Sequence, residues 1–153
     1  NAGVSGDTTA GGLRRVSWVL AGKPSVVILE LGGNDGLRGL SLPETRSHLD
    51  AIIKRLKEAQ VQVILAGMKL PPNYGEEYTS KFEAMYRDLA KAHTLALIPF
   101  LLEGVGGDHK LNQADGIHPT GEGYRIVVQN VLQTLLPLLK SGESHSPNSK
   151  KKA

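Results

Sequence analysis

The sequence predicts an α/β fold, with a parallel sheet covered by helices on both faces. Three observations predict it. Strand-like and helix-like segments alternate three times along the 153 residues. The strand-like runs at residues 25–31 and 61–67 are almost continuously apolar, which suits strands buried on both sides. The helix-like segments are apolar on one side only, which suits covering layers.

Each element has its own grounds. A helical pattern at residues 9–20 precedes the first complete strand, so residues 1–4 read as the end of an earlier strand. Pro24 ends a linker, and the strand at 25–31 stops at Gly32-Gly33. Ser41-Leu42-Pro43-Glu44 reads as a helix start, with Ser41 as cap, Pro43 in the first turn and Glu44 as the capping-box acid. That helix runs to about residue 59, with Leu49, Ile52, Ile53 and Leu56 inward and Arg46, Asp50, Lys54 and Lys57 outward.

A second strand follows at 61–67 and a loop rich in Pro, Asn and Gly at 71–75. Helical periodicity returns at 76–92 through Phe82, Met85, Tyr86 and Leu89. A short strand is expected at 94–98, a loop at 104–113 and a last helix from 121 to about 139, bent or ended by Pro137. The domain therefore occupies residues 1–140. Residues 141–153, polar and rich in Ser and Lys, read as a disordered tail.

Bulk composition narrows the function. An apolar share of 40% and a charged share of 22% are ordinary for a globular domain. The net charge of +3 equals the contribution of Lys150-Lys151-Lys152, so the remainder is near neutral. No basic stripe is interleaved with aromatics, which argues against nucleic acid as a partner. Without cysteine there is no disulfide framework, thiolate nucleophile or thiolate metal site. No apolar run reaches the ~18 residues that a membrane span requires. His48, His93, His109 and His145 are scattered and read as solvated surface residues, so no metal or other cofactor is expected.

Three segments carry chemistry, each placed after a strand. Asp115-Gly116-Ile117-His118-Pro119 puts a carboxylate and an imidazole three residues apart. A carboxylate there can hold one ring nitrogen and leave the other to take a proton from a hydroxyl. The same residues suit equally a surface turn in which Asp115 caps the following helix and His118 is incidental. Gly32-Gly33-Asn34-Asp35 offers the Asn34 amide to a developing oxyanion, although the same residues suit a plain turn. Ser5-Gly6-Asp7-Thr8 offers the Gly6 N–H beside a helix N-terminus, where Asp7 or Thr8 also suits simple capping. Ligands of open parallel sheets sit at the strand C-termini, so the three segments are expected to converge on one edge.

The joint pattern resembles the SGNH, or GDSL, family of serine hydrolases. Val4-Ser5-Gly6-Asp7-Thr8, the run from Leu29 through Gly39, Leu70-Pro71-Pro72-Asn73-Tyr74-Gly75 and Asp115-Gly116-Ile117-His118-Pro119 are similar to the bacterial acyl-CoA thioesterase, lysophospholipase and arylesterase group. The resemblance spans roughly residues 1–139. It implies a three-layer flavodoxin-like sheet and acyl-enzyme hydrolysis of small-molecule esters or thioesters. It also implies Gly6 and Asn34 as oxyanion donors, His118 as base and Asp115 as its partner. Leu70, Pro71, Asn73 and Tyr74 would flank the acyl pocket in a loop that moves on substrate binding. Members of that group are often periplasmic or secreted.

The family nucleophile is the Ser of a Gly-Asp-Ser-Leu block, and these residues contain no such block. Ser5 immediately precedes the oxyanion glycine, a scaffold position in the family, and is rejected as a substitute. Asn1 in place of Met suggests a fragment of a longer hydrolase, lacking the first strand and most of the second and inactive alone. The sheet edge at residues 26–31 would then be open to a complementing N-terminal segment or to self-association. Two other readings compete. One is a non-catalytic acyl- or carbohydrate-binding module, which has no need of Asp115 and His118 in triad geometry. The other is a nucleotide binder, ranked last because no Gly-x-Gly-x-x-Gly or Walker pattern follows a strand.

Overall fold

The structure is a computed structural model and describes residues 1–143. It forms two compact units, Asn1–Leu102 and a second beginning at Glu103. In the first unit the order is α1 (Thr9–Ala21), β1 (Val26–Leu29), α2 (Gly33–Leu37), α3 (Leu42–Glu58), β2 (Gln62–Ala66), a 3-10 turn (Pro72–Tyr74), α4 (Glu76–His93) and β3 (Ala96–Ile98). The second unit carries the loop that starts at Glu103 and α5 (Gly121–Glu143).

The sheet is wholly parallel in the order β1-β2-β3, with Val27 opposite Val63 and Leu65 opposite Leu97. Successive strand residues face opposite ways, so one face collects Val27, Leu29, Val63, Leu65 and Leu97. These pack with Val16 of α1, with Leu49, Ile52, Ile53 and Leu56 of α3, and with Phe82, Met85, Tyr86 and Leu89 of α4. All three helices therefore cover that face. Ile64, Ala66 and Ile98 on the other face are buried too, as the continuous apolar runs require. Ile28 stays 38% exposed because β1 is an edge of the described sheet.

The α3 start follows its sequence signal: the Ser41 hydroxyl accepts from the Glu44 N–H at 3.4 Å, and Pro43 lies in the first turn. Four expectations need correction. Residues 1–4 are not strand: they meet no β neighbour among the described residues, and Val4 instead opens a turn closed by Asp7 N at 3.2 Å. Residues 33–37 are a short helix rather than a turn. Pro137 lies inside α5, which continues through Glu143, so residues 141–143 of the expected tail are helical. Proline lacks an N–H and its ring crowds the carbonyl four residues back, yet it does not end α5. The rest of the expected tail, 144–153, lies outside the described residues.

Candidate active site

The first unit holds Gly6 and Asn34. Gly6 has φ +74, the left-handed conformation that favours glycine, and sits in the turn leading into α1. Arg15 braces that turn: its Nε and Nη2 reach Asp7 Oδ2 at 3.0 and 2.6 Å, and its Nη1 reaches Ala2 O at 3.0 Å. Thr8, rather than Asp7, caps α1 by accepting from Gly11 N. A Cβ at Gly11 would lie 1.8 Å from Asp7 Oδ1, so a side chain there would push that carboxylate from its place beside Arg15.

Asn34, on α2, donates from Nδ2 to Asp7 O at 2.9 Å. The structure thus brings Asn34 beside the Gly6-Asp7 turn. A primary amide has two N–H groups, so one is spent on orientation and the other stays available. Among the described residues, the Gly6 N–H meets no acceptor. Two further contacts join the same segments. Arg38 Nη2 donates to Gly6 O at 2.9 Å, and Asp35 accepts from Thr9 N at 2.9 Å. Sequence reasoning did not single out Arg38 or Asp35; both share the Gly32–Gly39 segment with Asn34.

The second unit holds Asp115 and His118. Asn112 is buried and donates to Val105 O and Asp108 O at 2.6 and 2.8 Å, anchoring the loop. An antiparallel bridge between Asn112 and Pro119 closes it, Gln113 N donates to His118 O at 2.7 Å, and Gly116 turns it at φ +71. The Asp115 and His118 side chains are therefore held together. Asp115 Oδ1 accepts from Ile117 N and His118 N at 2.9 and 3.0 Å, and Oδ2 lies 2.7 Å from His118 Nδ1. Thr120, not Asp115, meets the first turn of α5, accepting from Gly123 N.

Electrostatics fixes the protonation pattern. The His118 backbone N–H, then that of Ile117, then the His118 ring hold the Asp115 carboxyl down at about 2. An ionised carboxylate only accepts, so Nδ1 of a neutral His118 bears the hydrogen and Nε2 keeps its lone pair. The side chains of His118 and Asp115 are 60% and 45% exposed.

The expected acyl-pocket residues divide. Leu70 packs against Gly36, where a Cβ would approach its Cδ2 to 2.7 Å. The Tyr74 hydroxyl donates to Leu37 O at 2.8 Å, while Pro71 and Asn73 are exposed. An open depression of about 440 Å³ nearby is lined by Tyr74, Gly75, Glu76, Glu77, Tyr78 and Lys81, so only Tyr74 of the four lines it.

Two histidine expectations, for His93 and His48, are overturned. His93 is only 13% exposed and its Nε2 lies 2.7 Å from Asp50 Oδ1, because α4 packs its last turn against α3. His48 is half-buried beside Thr9 Oγ1 at 3.2 Å, and His109 is exposed. His145 lies outside the described residues. Among the described residues, no group of three His, Asp or Glu side chains is placed to hold a metal. No described helix is long and apolar enough to cross a membrane.

The GDSL-like lipase/acylhydrolase family matches residues 1–126. The chain belongs to that family. It is 46% identical over 140 residues to the esterase TesA of Pseudomonas aeruginosa, covering 91% of this chain and 70% of TesA. It is 39% identical to the thioesterase 1/protease 1/lysophospholipase L1 of Escherichia coli, covering 91% of this chain and 67% of that enzyme. The crystal structure of TesA superposes with a TM-score of 0.87 at 45% identity, covering 90% of this chain and 77% of that one. AlinE4, an SGNH-hydrolase family esterase, superposes with a TM-score of 0.72 at 41% identity, covering 93% of this chain and 75% of that one. The three-stranded parallel sheet with its helices is thus part of the SGNH hydrolase α/β fold.

Proposed function

We propose that this chain supplies the base and oxyanion donors of a serine ester or thioester hydrolase, and that its nucleophile comes from a segment outside these residues. The observation that carries the reading is the His118 Nδ1–Asp115 Oδ2 contact of 2.7 Å, with two backbone N–H groups fixing the carboxylate. His118 Nε2 removes the proton from a serine hydroxyl as its oxygen attacks the carbonyl carbon. The carbonyl oxygen becomes an oxyanion and receives the Gly6 N–H and the second Asn34 N–H. His118 then gives the proton to the departing alkoxide or thiolate, leaving an acyl-serine. Water, activated by the same imidazole, releases the acid and restores the hydroxyl. Asp115 stays ionised throughout and stabilises the imidazolium.

The substrate class follows the relatives, which are named as an esterase, a thioesterase/lysophospholipase and an arylesterase. Leu70, Pro71, Asn73 and Tyr74 flank the acyl group in this reading, and no cofactor is required. The 153 residues alone are inactive because no Gly-Asp-Ser block is present. The exposed edge of β1 is where a complementing segment, or a second copy, pairs. Export from the cytoplasm is the compartment this reading assigns. The test is labelling by a fluorophosphonate probe. The chain alone stays unlabelled, the chain joined to a Gly-Asp-Ser-Leu segment is labelled, and His118→Ala suppresses the label. Equal labelling of wild type and His118→Ala would refute the role of His118.

A further inference from the structure

We infer that Asp35, buried at the seam between α2 and the first turn of α1, is a positioning residue that aims the Asn34 amide. The inference rests on the reading of Asn34 as an oxyanion donor and adds the group that sets its direction. Asp35 is only 2% exposed, and both of its carboxylate oxygens are used. Oδ2 accepts from Thr9 N at 2.9 Å, and Oδ1 accepts from the Thr9 hydroxyl at 2.5 Å. The Thr45 hydroxyl of α3 stands 3.5 Å from the same Oδ1. A buried carboxylate is tolerated only when its lone pairs are met, so these contacts fix where Asp35 sits.

The neighbours make this more than a helix cap. Asn34 reaches Asp7 O, Asp35 reaches Thr9, and Arg38 reaches Gly6 O. Three side chains of one short segment thus fasten the turn that presents the Gly6 N–H. Arg38 is exposed, which weakens its hold, whereas Asp35 is sheltered from water. Thr9 has a single hydroxyl hydrogen and spends it on Asp35. Its oxygen therefore accepts from His48 Nδ1, 3.2 Å away, which ties the seam to α3. A five-residue helix has little stability of its own, so these contacts determine the direction of Asn34.

The test uses amide NMR of the 153-residue chain, reading the Asn34 side-chain N–H pair against core methyl signals. Asp35→Asn offers one acceptor where two are needed. It should move the Asn34 pair to free-amide positions and speed its exchange with water by at least about tenfold, with Leu49 and Ile53 methyls unchanged. Thr9→Val should do the same in part, and Thr9→Ser, which keeps the hydroxyl, should restore the native signals. Unmoved Asn34 signals in Asp35→Asn and Thr9→Val would overturn the inference. So would loss of the core signals in both, or failure of Thr9→Ser to rescue. A second arm measures ester turnover in the chain joined to the Gly-Asp-Ser-Leu segment. There Asp35→Asn should lower kcat at unchanged KM and add nothing to Asn34→Ala; additive losses would overturn it. If Asn34→Ala leaves turnover unchanged, the catalytic reading of Asn34 fails, while the NMR arm still judges Asp35.

Discussion

Replacing Gly32 with Ala should destabilise the first unit through two separable effects. Gly32 caps α2 at φ +104 and ψ −18, and a side chain there carries a left-handed penalty of about 1–2 kcal/mol. The new Cβ would also lie 2.3 Å from the Tyr86 hydroxyl oxygen. That hydroxyl is buried in the core and donates to Leu31 O at 2.9 Å. Displacing it leaves a buried donor and acceptor unmet, at about 1–3 kcal/mol. The expected loss is therefore about 2–5 kcal/mol in all. Tyr86→Phe removes the clashing oxygen, and the ring carbon behind it lies 3.4 Å from the new Cβ, an ordinary contact. In that background Gly32→Ala should cost only the backbone part, about 1–2 kcal/mol. Urea unfolding followed by far-ultraviolet circular dichroism measures all four proteins as a double-mutant cycle. Equal costs of Gly32→Ala in both backgrounds, or a cost below about 0.5 kcal/mol in the native one, would rule out this twofold origin of the loss.

Three further outcomes are expected. Asn34→Ala in the chain joined to a Gly-Asp-Ser-Leu segment should lower turnover by ~10²–10³, read with a p-nitrophenyl ester. The Asp115 carboxyl is lowered from 3.8 to about 2, so its contribution is fully present above 3.8 and is lost as pH falls through about 2. An acid titration of Asp115→Asn by circular dichroism should therefore show a flatter stability curve than wild type across that window and no change in slope near neutrality. Thr94 ends α4 in the left-handed region at φ 54, exposed and β-branched, so Thr94→Gly should gain about 0.5–1 kcal/mol in thermal unfolding.

The long elements were legible because their periods are strong. Leu49, Ile52, Ile53 and Leu56 recur at helical spacing, and the runs at Val26 and Val63 are apolar on both strand faces. The Asp115–His118 pair was legible because both partners share one short loop closed by local contacts. The α2 helix was not, because Gly32-Gly33-Asn34-Asp35-Gly36 has turn composition. Its stability comes from distant Thr9, Asp7 and Tyr86 rather than from propensity. His93 was hidden for a similar reason: its partner Asp50 is 43 residues away, across a helix contact that no local spacing encodes.

The most direct measurement is p-nitrophenyl ester turnover by this chain expressed with a Gly-Asp-Ser-Leu segment ahead of it, compared with the chain alone and with His118→Ala. Hydrolysis is expected in the joined protein, and near-background rates in the other two. Hydrolysis by the isolated 153 residues, or a joined His118→Ala protein as fast as its parent, would contradict this expectation.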